Sequence, residues 1–246
     1  MNKKLIAVSI LSAWFLAGPA LAQEEEEEEE GWWLGGSITG TTDYIFRGVS
    51  QTDEDPAIQG SIDFGHSSGF YAGIWASNVD FDDPDDGIDV EIDYYLGWVF
   101  ALPADMELDL QAVRYTYPGS NAGFGIDYNE YLAALSFLEY FTATFGFTGN
   151  YVNSDENAFY YHLGGEFPIG ETGFNIIAGV AYNDVEKATD GDNYTDFQFG
   201  VNYTWNDINF DVSYFDTSSY GLGLQDFLGP KKWADSRVVF TIGYEF

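Results

Sequence analysis

From Trp32 to the end of the chain, apolar and polar residues alternate with a period of two in stretches of roughly ten to fourteen residues. Val90, Ile92, Tyr94, Leu96, Trp98 and Phe100 share one face, and Glu91, Asp93, Tyr95, Gly97 and Val99 the other. Phe197, Phe199, Val201, Tyr203 and Trp205 likewise oppose Asp196, Gln198, Gly200, Asn202 and Thr204. Ile208, Phe210, Val212 and Tyr214 oppose Asn209, Asp211 and Ser213, and Phe141 to Tyr151 places Thr142, Thr144, Thr148 and Asn150 on its polar face. Stretches of this length suit tilted strands that cross a bilayer with one face to lipid.

The pattern predicts strands over 36–50, 57–66, 69–79, 88–101, 105–117, 127–139, 141–152, 158–167, 172–184, 194–205, 208–217 and 235–246. The fold class expected is all-β: a transmembrane antiparallel β-barrel of about twelve strands over 32–246. Two registers conflict with simple alternation. Tyr71, Ile74 and Trp75 do not choose one face, and Arg114 continues the phase of Leu108, Leu110 and Ala112, which a bulge near Val113 would resolve.

Connections give an independent test, because bacterial barrels alternate short periplasmic turns with longer outer loops. Ser67-Ser68, Leu102-Pro103-Ala104, the Glu139-Tyr140 corner, Pro168-Ile169-Gly170 and Asn206-Asp207 are short. Gln51–Pro56, Asp80–Gly87, Pro118–Gly125, Asn153–Asn157, Val185–Asn193 and Ser218–Trp233 alternate with them, are longer, and are mostly acidic. The chain closes on Val238, Phe240, Ile242, Tyr244 and the terminal Phe246, alternating with Arg237, Val239, Thr241, Gly243 and Glu245. An alternating strand ending in an aromatic, here Phe240, Tyr244 and Phe246, is the kind of signal that outer-membrane assembly machinery reads.

The N-terminus is organised differently. Lys3 and Lys4, the apolar run Leu5–Ala17 and the small residues of Ala20-Leu21-Ala22 read as a signal peptide over 1–22, an exported context. Residues 23–31 follow as an acidic disordered tail, Glu24–Glu30 being seven consecutive glutamates that repel one another and bury nothing. The chain contains no cysteine, so neither disulfides nor thiolate metal sites are expected to hold it. Its 19% aromatic content and 28 glycines suit interfacial girdles and close strand packing. Six of the eight Lys and Arg remain once Lys3 and Lys4 are set aside, against 41 Asp and Glu. That balance excludes nucleic acid as a partner and favours cations.

Asp43-Tyr44-Ile45-Phe46-Arg47-Gly48-Val49-Ser50-Gln51, then Pro56-Ala57-Ile58-Gln59-Gly60 and Gly69-Phe70-Tyr71-Ala72-Gly73-Ile74-Trp75-Ala76-Ser77-Asn78-Val79, resemble the TorF-type porin family of proteobacteria. The resemblance covers the first third most clearly and implies an outer-membrane, porin-like barrel. It implies no particular solute.

Alternation places Asp43, Asp63, Glu91, Asp93, Glu107, Asp109, Glu130, Glu166, Asp196, Asp211 and Glu245 inside, with Arg47 and Arg237 as their cations and Arg114 a third candidate. An acid-lined lumen favours cations because a low-dielectric wall focuses like charges. Twelve strands lie between the filled eight-stranded and open sixteen-stranded barrels, so a filled interior in which these groups pair with Tyr, Asn and Arg is the alternative. Arg47 is expected to face the lumen, where Asp43 lies four residues earlier on the same face, and to form a structural ion pair across or along the wall, with a constriction-lining cation as the alternative.

Asp82, Asp83, Asp85 and Asp86 supply oxygens for a hard divalent ion but lack helix-loop-helix calcium spacing, so they read first as a solvated loop that could bridge to lipopolysaccharide. His66, beside Ser67, and His162 are the histidine bases, and no nucleophile, phosphate-loop or zinc motif accompanies them. No enzyme and no cofactor are expected. The partners expected are outer-membrane lipid and lipopolysaccharide, the assembly machinery, and small hydrophilic solutes or cations.

The function expected is therefore passive diffusion of small hydrophilic solutes, with cations preferred. A structural or surface-interaction barrel with a lumen plugged by Ser218–Trp233 is the competing reading. A soluble β-sandwich is the third.

Overall fold

The computed structural model describes residues 31–246; the expected signal peptide and the run Glu24–Glu30 lie outside the described residues. Twelve antiparallel strands form one closed barrel: β1 (Trp32–Thr41), β4 (Ala57–His66), β5 (Phe70–Asn78), β6 (Val90–Leu102), β7 (Met106–Thr116), β8 (Tyr128–Phe137), β9 (Phe141–Thr148), β10 (Ala158–Pro168), β11 (Phe174–Asp184), β12 (Tyr194–Trp205), β13 (Ile208–Ser218) and β14 (Arg237–Glu245). Each strand pairs with its sequence neighbour, and β14 closes onto β1 from Ser37 opposite Glu245 to Thr41 opposite Thr241. Phe246 extends that seam, its amide donating to the Gly36 carbonyl and its carbonyl accepting from the Gly36 amide. Closure leaves no sheet edge, which is what a spanning sheet requires where no water can satisfy the backbone.

The distribution of side chains is inverted relative to a soluble domain. Leu34, Ile38, Ile62, Leu96, Leu163, Phe199, Val212 and Phe240 are exposed outside, whereas Glu91, Asp93, Glu130 and Asp196 are each at most 2% exposed inside. At the edge with short turns, aromatics outside the wall contact one another in a girdle: Trp32 stacks on Phe64, Phe70 meets Trp98, Phe137 stacks on Phe141, and Tyr244 stacks on Phe246. Such a belt suits the interface between hydrocarbon and water. A soluble two-layer sandwich is overturned by the single closed layer.

Several strand expectations are corrected. The first strand begins at Trp32 and ends at Thr41, not Ser50. Ile45–Phe46 (β2) and Val49–Ser50 (β3) instead pair only with each other, in a two-stranded sheet apart from the barrel. The strand expected over 141–152 stops at Thr148, and Tyr151–Asn153 is a 3-10 turn. No bulge interrupts β7: its register runs unbroken from Met106 opposite Leu102 to Thr116 opposite Ile92. Arg114 therefore faces outward at the outer rim, where it pairs with Asp127 at 3.1 Å. On β5, Tyr71, Trp75 and Ser77 are buried inside and Ile74 is exposed outside, so the aromatics did choose one face.

The outer loop Ser219–Ser236 carries a short helix α1 (Leu222–Leu228) and a 3-10 turn over Lys231–Ala234. With the β2–β3 hairpin it contributes Tyr44, Val49, Tyr220, Leu224 and Trp233 to a buried aromatic-rich cluster with the wall residues Trp75, Tyr115, Tyr117 and Tyr128. A hydrophobic core thus sits inside the outer end of the barrel.

Candidate functional site: the barrel interior

The segment after β1 turns inward because its local chemistry makes a hairpin. Phe46 pairs with Val49 and Ile45 with Ser50, and Arg47 and Gly48 between them take φ of 50° and 78°. Positive φ at both central residues is the two-residue type I′ turn, whose twist matches a hairpin. Gly48 is required there twice over: it takes a left-handed conformation, and a Cβ would lie 2.4 Å from Thr217 Oγ1 and 2.5 Å from the Asp196 Cβ. Arg47 is the less usual occupant, since a left-handed conformation costs a residue with Cβ roughly 1–2 kcal/mol.

What offsets that cost is the position of the tip. The hairpin leaves the wall between β1 and β4, and Arg47 reaches β8 and β10 on the far side of the barrel. One terminal nitrogen, Nη2, donates to both carboxylate oxygens of Glu130, at 2.8 and 2.7 Å. The guanidinium carbon lies 3.9 Å from the Tyr160 ring centroid and 4.8 Å from that of Phe46. Tyr115 also donates to Glu130, at 3.0 Å. A buried cation is satisfied by a carboxylate and aromatic faces together.

The structural ion pair expected of Arg47 is thus made across the lumen to Glu130, not along the wall to Asp43. Asp43 instead accepts from Arg237 Nη1 at 2.6 Å and from the Ser50 and Thr52 hydroxyls. Both residues lie off the strand wall, because the chain leaves the barrel at Thr41 and the period-2 argument no longer applies beyond it. Asp43 ties the hairpin base, and Arg47 anchors its tip.

The other predicted interior residues lie at several levels of the barrel. Glu91, Asp93, Glu130 and Asp196 are buried toward the outer end. Tyr117 donates to Glu91 at 2.8 Å and Asn183 to Asp196 at 2.6 Å, whereas neither carboxylate oxygen of Asp93 meets a donor among the described residues. Asp63, Glu107 and Glu166 are half-buried toward the short-turn end. Ser61 donates to Asp63 at 2.6 Å, Tyr95 also hydrogen-bonds Asp63, and Asn202 donates to Glu166 at 2.9 Å. Asp109 and Asp211 lie between these levels and are buried, Asp109 accepting from the Tyr71 hydroxyl at 2.9 and 3.0 Å. Glu245 is exposed at the barrel end. Much of the interior is filled by the protein's own hydrogen-bonded side chains, most completely beneath the hairpin.

Above the hairpin, the long loop acts as a lid. Asp53 receives a hydrogen bond from Trp233 Nε1 at 2.6 Å and an ion pair from Lys232, while Arg237 reaches Glu54 at 3.1 Å. Burial works to raise the Asp53 pKa, but the hydrogen bonds from Lys232 and Trp233 and the Lys232 charge outweigh it and hold the carboxyl below its ordinary value. Lys232 is raised in turn, chiefly by its hydrogen bond to Asp53. The segment expected as a plug, Ser218–Trp233, fills this end with Tyr220, Leu224 and Trp233, and the β2–β3 hairpin fills the lumen beneath it.

Among the described residues no cluster of three or more His, Asp or Glu is arranged to hold a metal ion, and Asp82, Asp83, Asp85 and Asp86 lie in the loop between β5 and β6. Their carboxylates serve the loop itself, Asp83 Oδ1 accepting from the Asp85 amide and Asp86 Oδ1 from that of Ile88. His66 Nδ1 accepts from the Ser68 amide and Ser67 Oγ from that of Gly31, so those two side chains are spent on turn structure. The inward hairpin was missed from the sequence, where Gly48 within Asp43–Gln51 was the one residue suited to a turn.

A closed twelve-stranded barrel with an apolar exterior and polar interior is the architecture of outer-membrane porins and channels. The chain belongs to the family described as bacterial protein of unknown function (Gcw_chp), whose model matches residues 25–246. No curated protein matches it. Among solved structures, the KdgM porin in complex with disordered oligogalacturonate shares 7% identity over 86% of this chain and 98% of that one, with a TM-score of 0.50. A chain from work on in-meso crystallization of membrane proteins shares 12% over 86% and 83%, also at 0.50. The COG4313 outer membrane channel from Pseudomonas putida F1 shares 11% over 90% and 99%, at 0.47. At such identities the likeness is one of fold.

Proposed function

We propose that this chain is an outer-membrane porin-like channel for small hydrophilic solutes, cation-preferring, and closed in the conformation described by the β2–β3 hairpin. The observation that carries this reading is the hairpin itself: a separate element that crosses the lumen and is anchored at its tip through one buried ion pair. Removing it would leave a wall lined by Asp63, Glu91, Asp93, Asp109, Glu130, Glu166, Asp196 and Asp211, with few cations to balance them. The resemblance of the Asp43–Gln51 motif to TorF-type porins supports the same reading, as do the aromatic girdle and the Phe240, Tyr244 and Phe246 seam for insertion in the outer membrane by its assembly machinery. Exposed apolar surface of this extent requires lipid, and outward Arg114 at the outer rim suits lipopolysaccharide phosphates. The KdgM structure holds an acidic ligand; an interior this rich in carboxylates argues for solutes of the opposite charge here.

The test is single-channel recording in planar bilayers. Wild type is expected to show small or infrequent conductance, and a chain lacking the hairpin a larger, cation-selective one. No conductance from a folded, hairpin-deleted barrel, or anion preference in it, defeats the proposal. A permanently plugged structural barrel is the second reading, favoured by the hydrogen bonds that occupy Asp63, Asp109 and Glu166; it predicts that silent outcome.

A further inference from the structure

We propose that the outer half of the lumen is a binding site for a guanidinium-bearing organic cation, and that Arg47 is a tethered occupant of that site. The inference rests on the channel reading for its route of entry and goes beyond it in naming the solute class. The first observation is the Arg47 pocket itself, which combines a carboxylate bonded to one guanidinium nitrogen with an aromatic face at 3.9 Å. A protein that buries a guanidinium of its own in this way has built the recognition chemistry for one.

The second observation is that Arg47 fits the site incompletely. Its Nε is buried without an acceptor among the described residues, because Nη2 alone spans both oxygens of Glu130 instead of the parallel fork that Arg and carboxylate can form. Asp93 is 1% exposed, and neither of its oxygens has a donor. It faces the lumen between Trp75 and Tyr115, its register partners on β5 and β7, and lies within electrostatic reach of Glu91 and Glu130. Glu91, Asp93, Glu130 and Asp196 thus share this level of the lumen with one occupying cation, Arg47, and a buried carboxylate without a partner costs more than one that is paired.

These two deficits have one remedy. A solute with a guanidinium and a second positive group could bond Glu130 through a full fork and supply Asp93 with a donor, while releasing the left-handed Arg47. Binding and hairpin displacement would then be one event, since site and tip cannot be occupied together.

The probe is agmatine, a guanidinium and an ammonium joined by a short methylene chain, compared with neutral butylurea, by calorimetric titration of the full chain folded in detergent. Agmatine is expected to bind saturably and butylurea at least about tenfold more weakly, at ionic strength matched with potassium chloride. Asp93→Asn leaves the Arg47 contact intact and is expected to weaken agmatine about tenfold; Arg47→Gln, if it folds, is expected to tighten it by removing the competitor. Equal binding of agmatine and butylurea, or an Asp93→Asn affinity equal to wild type in a barrel that keeps its heat-modifiable gel mobility, overturns the inference. Bilayer recording separates the two readings. A conducting barrel that does not prefer agmatine leaves the channel and removes this site, whereas agmatine binding by a barrel that never conducts does the reverse.

Discussion

At the scale of single residues, the docked position of the hairpin depends on Arg47, Gly48 and Glu130. Glu130→Gln would leave the Arg47 charge buried without its counterion, and breaking a buried pair from one side costs on the order of 3–5 kcal/mol. Its expected result is loss of hairpin docking with the barrel intact, read as increased conductance at unchanged gel mobility. Gly48→Val combines the steric contacts at 2.4 and 2.5 Å with a β-branched residue at φ 78°, so it should expel the tip as well. The Asp53 latch adds a pH dependence whose sign follows from its lowered pKa: the stabilisation is present above the ordinary aspartate range and is lost as pH falls through the still lower folded value. The Lys232 contribution, with its raised pKa, is complete below the ordinary lysine range and disappears only as pH rises through the folded value. The lid should therefore stay latched through neutrality and release in acid, an effect measurable as acrylamide quenching that Trp233→Phe abolishes. Quenching that changes between pH 6 and 8 would contradict this assignment.

At the scale of elements, the wall was legible and the plug was not, for a physical reason. Each wall strand has two faces in unlike solvents, so its alternation is strong; β6, with Glu91, Asp93 and Tyr95 inside and Tyr94, Leu96 and Trp98 outside, was readable residue by residue. The hairpin is enclosed by protein, so Ile45, Phe46 and Val49 carry no such contrast, and the apparent continuity of 36–50 hid the turn at Thr41. Arg114 misled in the opposite way: it sits on the outward phase but at the rim, where it is exposed and paired with Asp127, and no bulge was needed. Glu91, Asp93, Glu130 and Asp196 are buried on the inward phase of their strands, whereas Asp43 lies off the wall; alternation carries no information about which partner crosses the lumen, so Glu130 could not be assigned to Arg47. These differences make the two inward elements separable by deletion. Removing the Tyr44–Thr52 hairpin should raise conductance, whereas removing the lid over 219–235 should leave it small, because the lumen stays filled below. A large conductance after lid deletion alone would assign the plug to the wrong element.

At the scale of the whole molecule, the question is whether the carboxylate excess acts through the lumen or merely at its mouths. The outer loops are acidic too, and charge on solvated loops is screened over about 8 Å at physiological ionic strength. Charge enclosed by a low-dielectric wall is screened less, because few salt ions enter to do so. The two sources therefore separate by salt. In the hairpin-deleted barrel, a cation preference set by Glu91, Asp93, Glu130 and Asp196 should persist as potassium chloride is raised from about 0.1 to 1 M, over which the Debye length falls from about 10 to 3 Å. A preference set by Asp80, Asp82, Asp83 and Asp85 on the exposed loop should fade over the same range. Reversal potentials under a fixed concentration ratio measure this directly, and Asp93→Asn combined with Glu91→Gln should lower the preference at high salt if the interior sets it. Selectivity that vanishes at 1 M and ignores those two substitutions would move the selective element from the lumen to the loops and leave the barrel a neutral conduit beneath them.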